Sequence, residues 1–148
     1  MGGGWIASGS DEYARRISAY FRLTLTQIPE HKLPGKPSPA QIEKALAIEG
    51  KGIWAALPSK AAGIALCPEG KQLSSNGFAQ LFEHLALEGR PPAFIIGSSH
   101  GLCPEVKAAA YLRLSFSMLT FPHKLARLIL LEQIYRAGSI LGGGRYHK

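Results

Sequence analysis

The sequence predicts an α/β protein built on a mainly parallel sheet with helices on both faces. Three observations lead there. Short β-rich apolar runs alternate with helical periodicities along the whole chain. The runs Gly63 to Cys67, Ala93 to Ile96 and Leu112 to Phe116 are nearly continuous in apolar or small residues, as strands buried on both faces require. No repeat and no shift in composition marks a second domain, so residues 1–148 are read as one domain.

Each element follows from local chemistry. A first helix is expected from about Ser10, capped by Ser10 or Asp11 and carrying Tyr13, Ile17, Tyr20 and Phe21 on one face. Leu23 to Ile28 alternates apolar and polar residues before Pro29 and reads as a short strand. Ser38-Pro39 is a cap and first-turn pair for a second helix with Ile42, Leu46, Ile53, Trp54 and Leu57 inward. A third helix places Phe78, Leu81, Phe82 and Leu85 together, and a short one starts at Pro104. The last runs from about Pro122 to Ile140. Its Leu125, Leu128, Ile129, Leu131 and Ile134 cover more than one stripe, which suits a helix with the sheet on one side and a second subunit on the other.

Composition narrows the class. With 46% hydrophobic and 18% charged residues, the 148-residue chain can bury a core. No apolar run approaches the roughly 18 residues of a membrane span, and MGGGWIASGS lacks the features of a secretory leader, so a soluble, cytoplasmic protein without membrane association is expected. Cys67 and Cys103 are widely spaced, and the five histidines lack metal-ligand spacing, so neither a disulfide framework nor a metal is expected. The net charge is +7, and its placement is uneven. Lys107, Arg113, Lys124, Arg127, Arg136, Arg145 and Lys148 face a single acid, Glu132, after residue 105. Such a basic end suits a polyanion, RNA being the natural one.

Several segments could carry chemistry. Gly97-Ser98-Ser99-His100-Gly101 follows a strand and formally matches GxSxG, with Ser99 as a nucleophile in a small serine hydrolase. Pro104 delays the next helix, however, and the acid and histidine order of a triad is poorly met. The same loop reads better as a backbone cradle at the sheet's open edge. Ser115 to His123 mixes hydroxyls, apolar side chains and Pro122, offering the apolar surface and free backbone groups that an adenine ring needs. His123 and Arg127 share a helix face, whereas Glu132 and Arg136, also four apart, can simply pair. The tail Gly142 to Lys148 is glycine-rich, then basic and aromatic, as in an arm that orders on RNA.

The loop FIIGSSHGL, the stretch LSFSMLTFPHKLARLILLEQIYRAGSI and the terminal YHK together resemble the ribosomal RNA large subunit methyltransferase H family, minimal SPOUT methyltransferases. Agreement extends through IEKALAIEG and GKQLSSNGFAQ, and is most specific in TFPH, EQIYRA and YHK. The resemblance implies a C-terminal trefoil knot, S-adenosylmethionine as methyl donor, and methylation of N3 of a pseudouridine in large-subunit ribosomal RNA. It implies a homodimer, formed here through the last helix, acting on the assembled ribosome. Donor contacts would come from Leu66, Gly97, Ser98, Ser117, Met118, Leu119, Thr120, Phe121 and Pro122. RNA contacts would come from His123, Arg127, Arg136, Arg145, Tyr146, His147 and Lys148, with His147, Arg127 and Tyr146 in catalytic roles. The alternative is an RNA-binding protein of the same fold without transfer activity. Three departures stand out: a first strand of the type KITILAVG is missing, the usual Gly-Gly turn is Gly97-Ser98, and Cys67 replaces a frequent acid.

Overall fold

The computed structural model describes residues 4–147. Their elements, in chain order, are α1 (Gly4–Ile17), α2 (Pro39–Ala56), β1 (Ala62–Gln72), α3 (Ser75–Leu87), β2 (Pro92–Ile95), α4 (Pro104–Ala109), β3 (Leu112–Ser115) and α5 (His123–Leu141). They divide between two compact units: a helical unit with α1, α3 and α5, and a sheet unit spanning Thr26–Gln72 and Arg90–Leu119.

In the sheet unit the strand order is β2-β1-β3, and both pairings are parallel. The small and branched residues of β1 explain its central place. Ala62, Gly63, Ile64 and Ala65 are buried in succession, leaving neither face to water. The ladder with β3 runs from Ile64↔Leu112 to Leu66↔Leu114, breaks, and resumes at Lys71↔Leu114. Cys67 to Gly70 therefore arch out as a bulge. Gly70 permits it, because a Cβ there would lie 2.7 Å from the Arg113 carbonyl carbon. Ala65, Ile95, Leu102, Cys103 and Val106 form the core, with Leu46, Ile53 and Leu57 of α2 and its C-terminal end packed on it. Helix α2 opens as its sequence predicts. Ser38 Oγ accepts the Gln41 N–H while Gln41 Oε1 accepts the Ser38 N–H, closing a capping box.

In the helical unit α5 packs against α1 and α3, burying Leu130, Leu131, Ile134 and Ala137. Gly138 lets Tyr20 sit against α5, since a Cβ would come within 2.6 Å of the Tyr20 ring.

Three expectations need correction. Helix α1 begins at Gly4, not Ser10, and Ser10 lies buried within it without a hydrogen-bond partner for its hydroxyl. Its neighbour Gly9 is small because α5 is close: a Cβ there would touch Leu128 at 3.2 Å. Leu23 to Ile28 forms no strand and leaves Leu25 59% exposed, since alternation without a neighbouring ladder leaves the backbone unpaired. Trp54 keeps 38% of its surface exposed and lies outside the core cluster, although Ile53 and Leu57 face the core as expected.

Candidate functional site

The connections of the sheet define where a ligand can enter. From β1 the chain crosses to β2 on one side, then returns past β1 to β3 on the other. Loops leaving β2 and β3 therefore diverge from the carboxyl edge of the sheet, the switch point at which open parallel sheets bind ligands. Leu66 ends the first stretch of the β1 ladder there, Gly97 and Ser98 follow β2, and Ser117, Met118 and Leu119 follow β3. The sheet unit thus brings the six candidate donor contacts it contains to one edge.

The turn after β2 closes in a form that only glycine allows. A Cβ on Gly97 would stand 2.5 Å from both the carbonyl carbon and oxygen of Gly101. Gly101 itself takes φ +85°, and its N–H donates to Ser98 O at 2.8 Å. The extra side chain at Ser98 is held by Glu49: Ser98 Oγ donates to Glu49 Oε1 at 3.1 Å, while Glu49 Oε2 accepts the His31 N–H at 2.9 Å. One carboxylate ties the turn to the loop before α2, and beside it lies a cavity of about 360 Å³ bounded by that loop, α2 and Ser98 to His100.

Serines also shape the loop after β3. Ser115 Oγ donates to Ser117 O, and Ser117 Oγ accepts the Leu119 N–H, both at 3.0 Å. Met118 and Leu119 are consequently turned outward, 85% and 71% exposed. Thr120 and Pro122 are exposed, Phe121 half-buried, and α5 begins at once. The loop after β3 and the glycine-dependent turn after β2 thus both leave the carboxyl edge of the sheet, the first with exposed apolar side chains. The nucleophile-elbow geometry does not form: α4 starts only at Pro104, and Ser99 sits exposed in a loop.

The helical unit gathers the cationic and aromatic residues of the C-terminal end. Arg136 Nη2 pairs with Glu132 Oε2 at 2.5 Å, and its Nη1 lies 3.0 Å from His147 Nδ1. Arginine can only donate, so His147 Nδ1 accepts and a neutral ring carries its proton on Nε2. The guanidinium also stacks 4.8 Å from the Tyr146 ring. Tyr146 OH donates to Glu132 Oε2 at 2.9 Å and lies 3.0 Å from Tyr13 OH. Burial, then bonding with Tyr13 and Glu132, raises its pKa, so Tyr146 acts as a neutral donor. The tail is thus docked rather than a free arm. Gly143 at φ +73° turns the chain, Gly144 N–H reaches Ser139 O at 2.7 Å, and Tyr146 lands edge-on against Tyr135.

Of the RNA contacts expected, Arg136, Tyr146 and His147 meet in this cluster. His123 and Arg145 stay exposed, and Lys148 lies outside the described residues. Arg127 is half-buried, and its Nε is enclosed without a hydrogen-bond partner. Glu49, Glu132, Tyr13 and Tyr135 were not among the expected site residues. Only the spacing of Glu132 and Arg136 signalled one of them, as a mere pair.

Comparison with known proteins agrees with this geometry. The family described as "Predicted SPOUT methyltransferase" matches residues 1–147. Ribosomal RNA large subunit methyltransferase H of Moorella thermoacetica is 46% identical over 145 residues, covering 97% of this chain and 91% of that protein. The proteins of the same name from Natranaerobius thermophilus and Carboxydothermus hydrogenoformans are 44% and 43% identical, each with 97% of this chain and 91% of the relative covered. A glycine-dependent turn at a parallel sheet's switch point, in a chain matched over nearly its whole length, places this protein in the SPOUT methyltransferase family.

Proposed function

We propose that the chain is an S-adenosylmethionine-dependent methyltransferase acting on N3 of a pseudouridine in large-subunit ribosomal RNA. The observation that carries this reading is the glycine-dependent Gly97-Ser98 turn at the switch point of the parallel sheet, in a chain matched by the SPOUT methyltransferase family over residues 1–147. Leu66, Gly97, Ser98 and the run Ser117 to Pro122 would hold the donor. When bound, S-adenosylmethionine supplies a methyl group activated by its sulfonium, so the protein's task is to orient it and to ready the nucleophile.

The imide N3–H of pseudouridine must lose its proton before its nitrogen could accept the methyl group that a bound donor would supply. Water receives that proton, or His147 does through Nδ1 once Arg136 releases it; on the water route Nδ1 stays with Arg136 and His147 Nε2–H is free to donate to the developing anion. Arg127, whose Nε lacks a partner, is the arginine assigned to stabilise that charge. Tyr146 orients Arg136 through Glu132. His123, Arg136, Arg145, Tyr146, His147 and Lys148 contact RNA in this reading.

The same reading has one methyltransferase domain with helices on both sheet faces, the family's trefoil knot, and a homodimer through α5 that acts on the ribosome in the cytoplasm. No helix among the described residues is long and apolar enough to cross a membrane. The deciding experiment compares ribosomal RNA from cells with and without the protein by mass spectrometry. Loss of a methylated pseudouridine supports the reading, and an unchanged spectrum overturns it. Calorimetry separates the non-catalytic alternative, since a protein that only binds RNA gives no heat with S-adenosylmethionine. For His147, a His147→Ala enzyme with full single-turnover rate would remove its role.

A further inference from the structure

The sheet unit carries a second concentration of positive charge that the proposed RNA contacts leave unused. It surrounds a cavity of about 350 Å³ where the β1 bulge lies against β3, lined by Glu69, Gly70, Lys71, Lys107, Tyr111 and Arg113 among others. Three of these are cations and one is an acid. Glu69 is already engaged, since Lys107 Nζ donates to its Oε1 at 2.7 Å and holds its carboxyl below the ordinary range. Among the described residues, no carboxylate pairs with Lys71 or Arg113, and both are exposed.

The fold sets their spacing. Gly70 brings the bulge onto the backbone of Arg113, and Lys71 rejoins the ladder opposite Leu114, one residue beyond Arg113. At the rim, Tyr111 is 39% exposed with the Arg90 guanidinium 4.9 Å from its ring, and Arg90 is steadied by the Lys60 and Ala61 carbonyls. Two uncompensated cations beside an arginine-backed aromatic ring make a concave, basic surface with a stacking platform. The cations are exposed and follow the sheet edge instead of converging in a buried pocket. That arrangement suits a chain of phosphates better than a small anion.

We propose that Lys71, Arg113 and Tyr111 form a second RNA-docking surface on the sheet unit, gripping the phosphate backbone of the ribosomal RNA away from the nucleotide that is modified. The proposal rests on the reading of the chain as an RNA methyltransferase. In this assignment Lys71 and Arg113 each contact a phosphate, and Tyr111 offers a ring for an unpaired base. Glu69 holds Lys107 out of direct contact.

The test measures binding of the full chain to a labelled transcript of a large-subunit ribosomal RNA stem-loop over a range of salt concentrations. A Lys71→Gln/Arg113→Gln double variant is compared with Lys44→Gln/Lys51→Gln on exposed positions of α2. Each lost phosphate contact makes the slope of log affinity against log salt shallower by roughly 1. The expected result is a slope shallower by about 2 and severalfold weaker binding for the first pair only, with S-adenosylmethionine affinity unchanged by calorimetry. Tyr111→Leu should weaken binding with no change in slope. Equal slope changes in both pairs would reduce the effect to net charge and overturn the proposal, as would weakened donor binding with RNA binding intact. Competition by vesicles of anionic lipid as effective as unlabelled RNA would overturn it too. The functional reading fails separately, if the wild-type protein neither binds the donor nor methylates ribosomes.

Discussion

Replacing Gly97 by alanine tests the proposed donor site at its narrowest point. The new Cβ would stand 2.5 Å from the carbonyl carbon and oxygen of Gly101 and 3.0 Å from its Cα. These are backbone atoms on the other arm of a closed turn, so no side-chain rotation relieves the overlap. The turn must open, and two hydrogen bonds stretch with it: Gly101 N–H to Ser98 O at 2.8 Å and Ser98 Oγ to Glu49 at 3.1 Å. At about 0.5 to 1.5 kcal/mol each, their loss costs about 1 to 3 kcal/mol. If the closed turn is what the donor recognises, affinity falls by roughly 5- to 150-fold, one decade per about 1.4 kcal/mol. Calorimetric titration with S-adenosylmethionine reads the change, and a denaturant melt checks that the core persists. Gly101→Ala is the companion variant. Its Cβ meets nothing within 4 Å, so only the strain of φ +85° acts, about 1 to 2 kcal/mol, and its loss should be smaller. Donor affinity within threefold of wild type for a folded Gly97→Ala protein would refute the assignment of this turn.

Other expectations follow from the same geometry. A cycle of Glu49→Ala and Ser98→Gly should show a coupling of about 0.5 to 1.5 kcal/mol in donor binding, because the carboxylate acts on the turn through the Ser98 hydroxyl; additive effects would deny the link. Leu131→Ala, at a position 1% exposed, should destabilise the protein by about 2 to 5 kcal/mol in denaturant unfolding. Glu12 is bonded to Arg15 and Arg16, which lowers its pKa from 4.5 to about 2. Because the folded value lies below the unfolded one, its contribution is full above pH 4.5 and lost as pH falls toward 2; the stability difference between wild type and Glu12→Gln should vanish across that window and shrink in high salt. Burial raises the Cys67 thiol, so it should stay protonated at neutral pH and react with iodoacetamide only once the protein is unfolded.

Local patterns in the chain determined much of the architecture. Ser38-Pro39 and the Gln41 that follows specify the start of α2 through a capping box, which involves only neighbours in sequence. The apolar run Gly63 to Cys67 reads as a strand buried on both faces, and the structure gives it the central place between β2 and β3. The glycines at 97 and 101 mark a turn after a strand, and the uneven placement of lysines and arginines gives the chain a basic C-terminal region. The tertiary structure decided what depends on distant partners. Leu23 to Ile28 alternates like a strand yet forms none, because a ladder needs a neighbour that alternation cannot supply. Ser10 looks like a cap and is instead buried inside α1, next to Gly9, against which Leu128 of α5 packs. Tyr13 and Tyr146 meet although 133 positions apart, which turns an expected free arm into a docked tail. Short-range chemistry is written in adjacent residues, whereas a contact between remote ones exists only when the whole chain has closed around it.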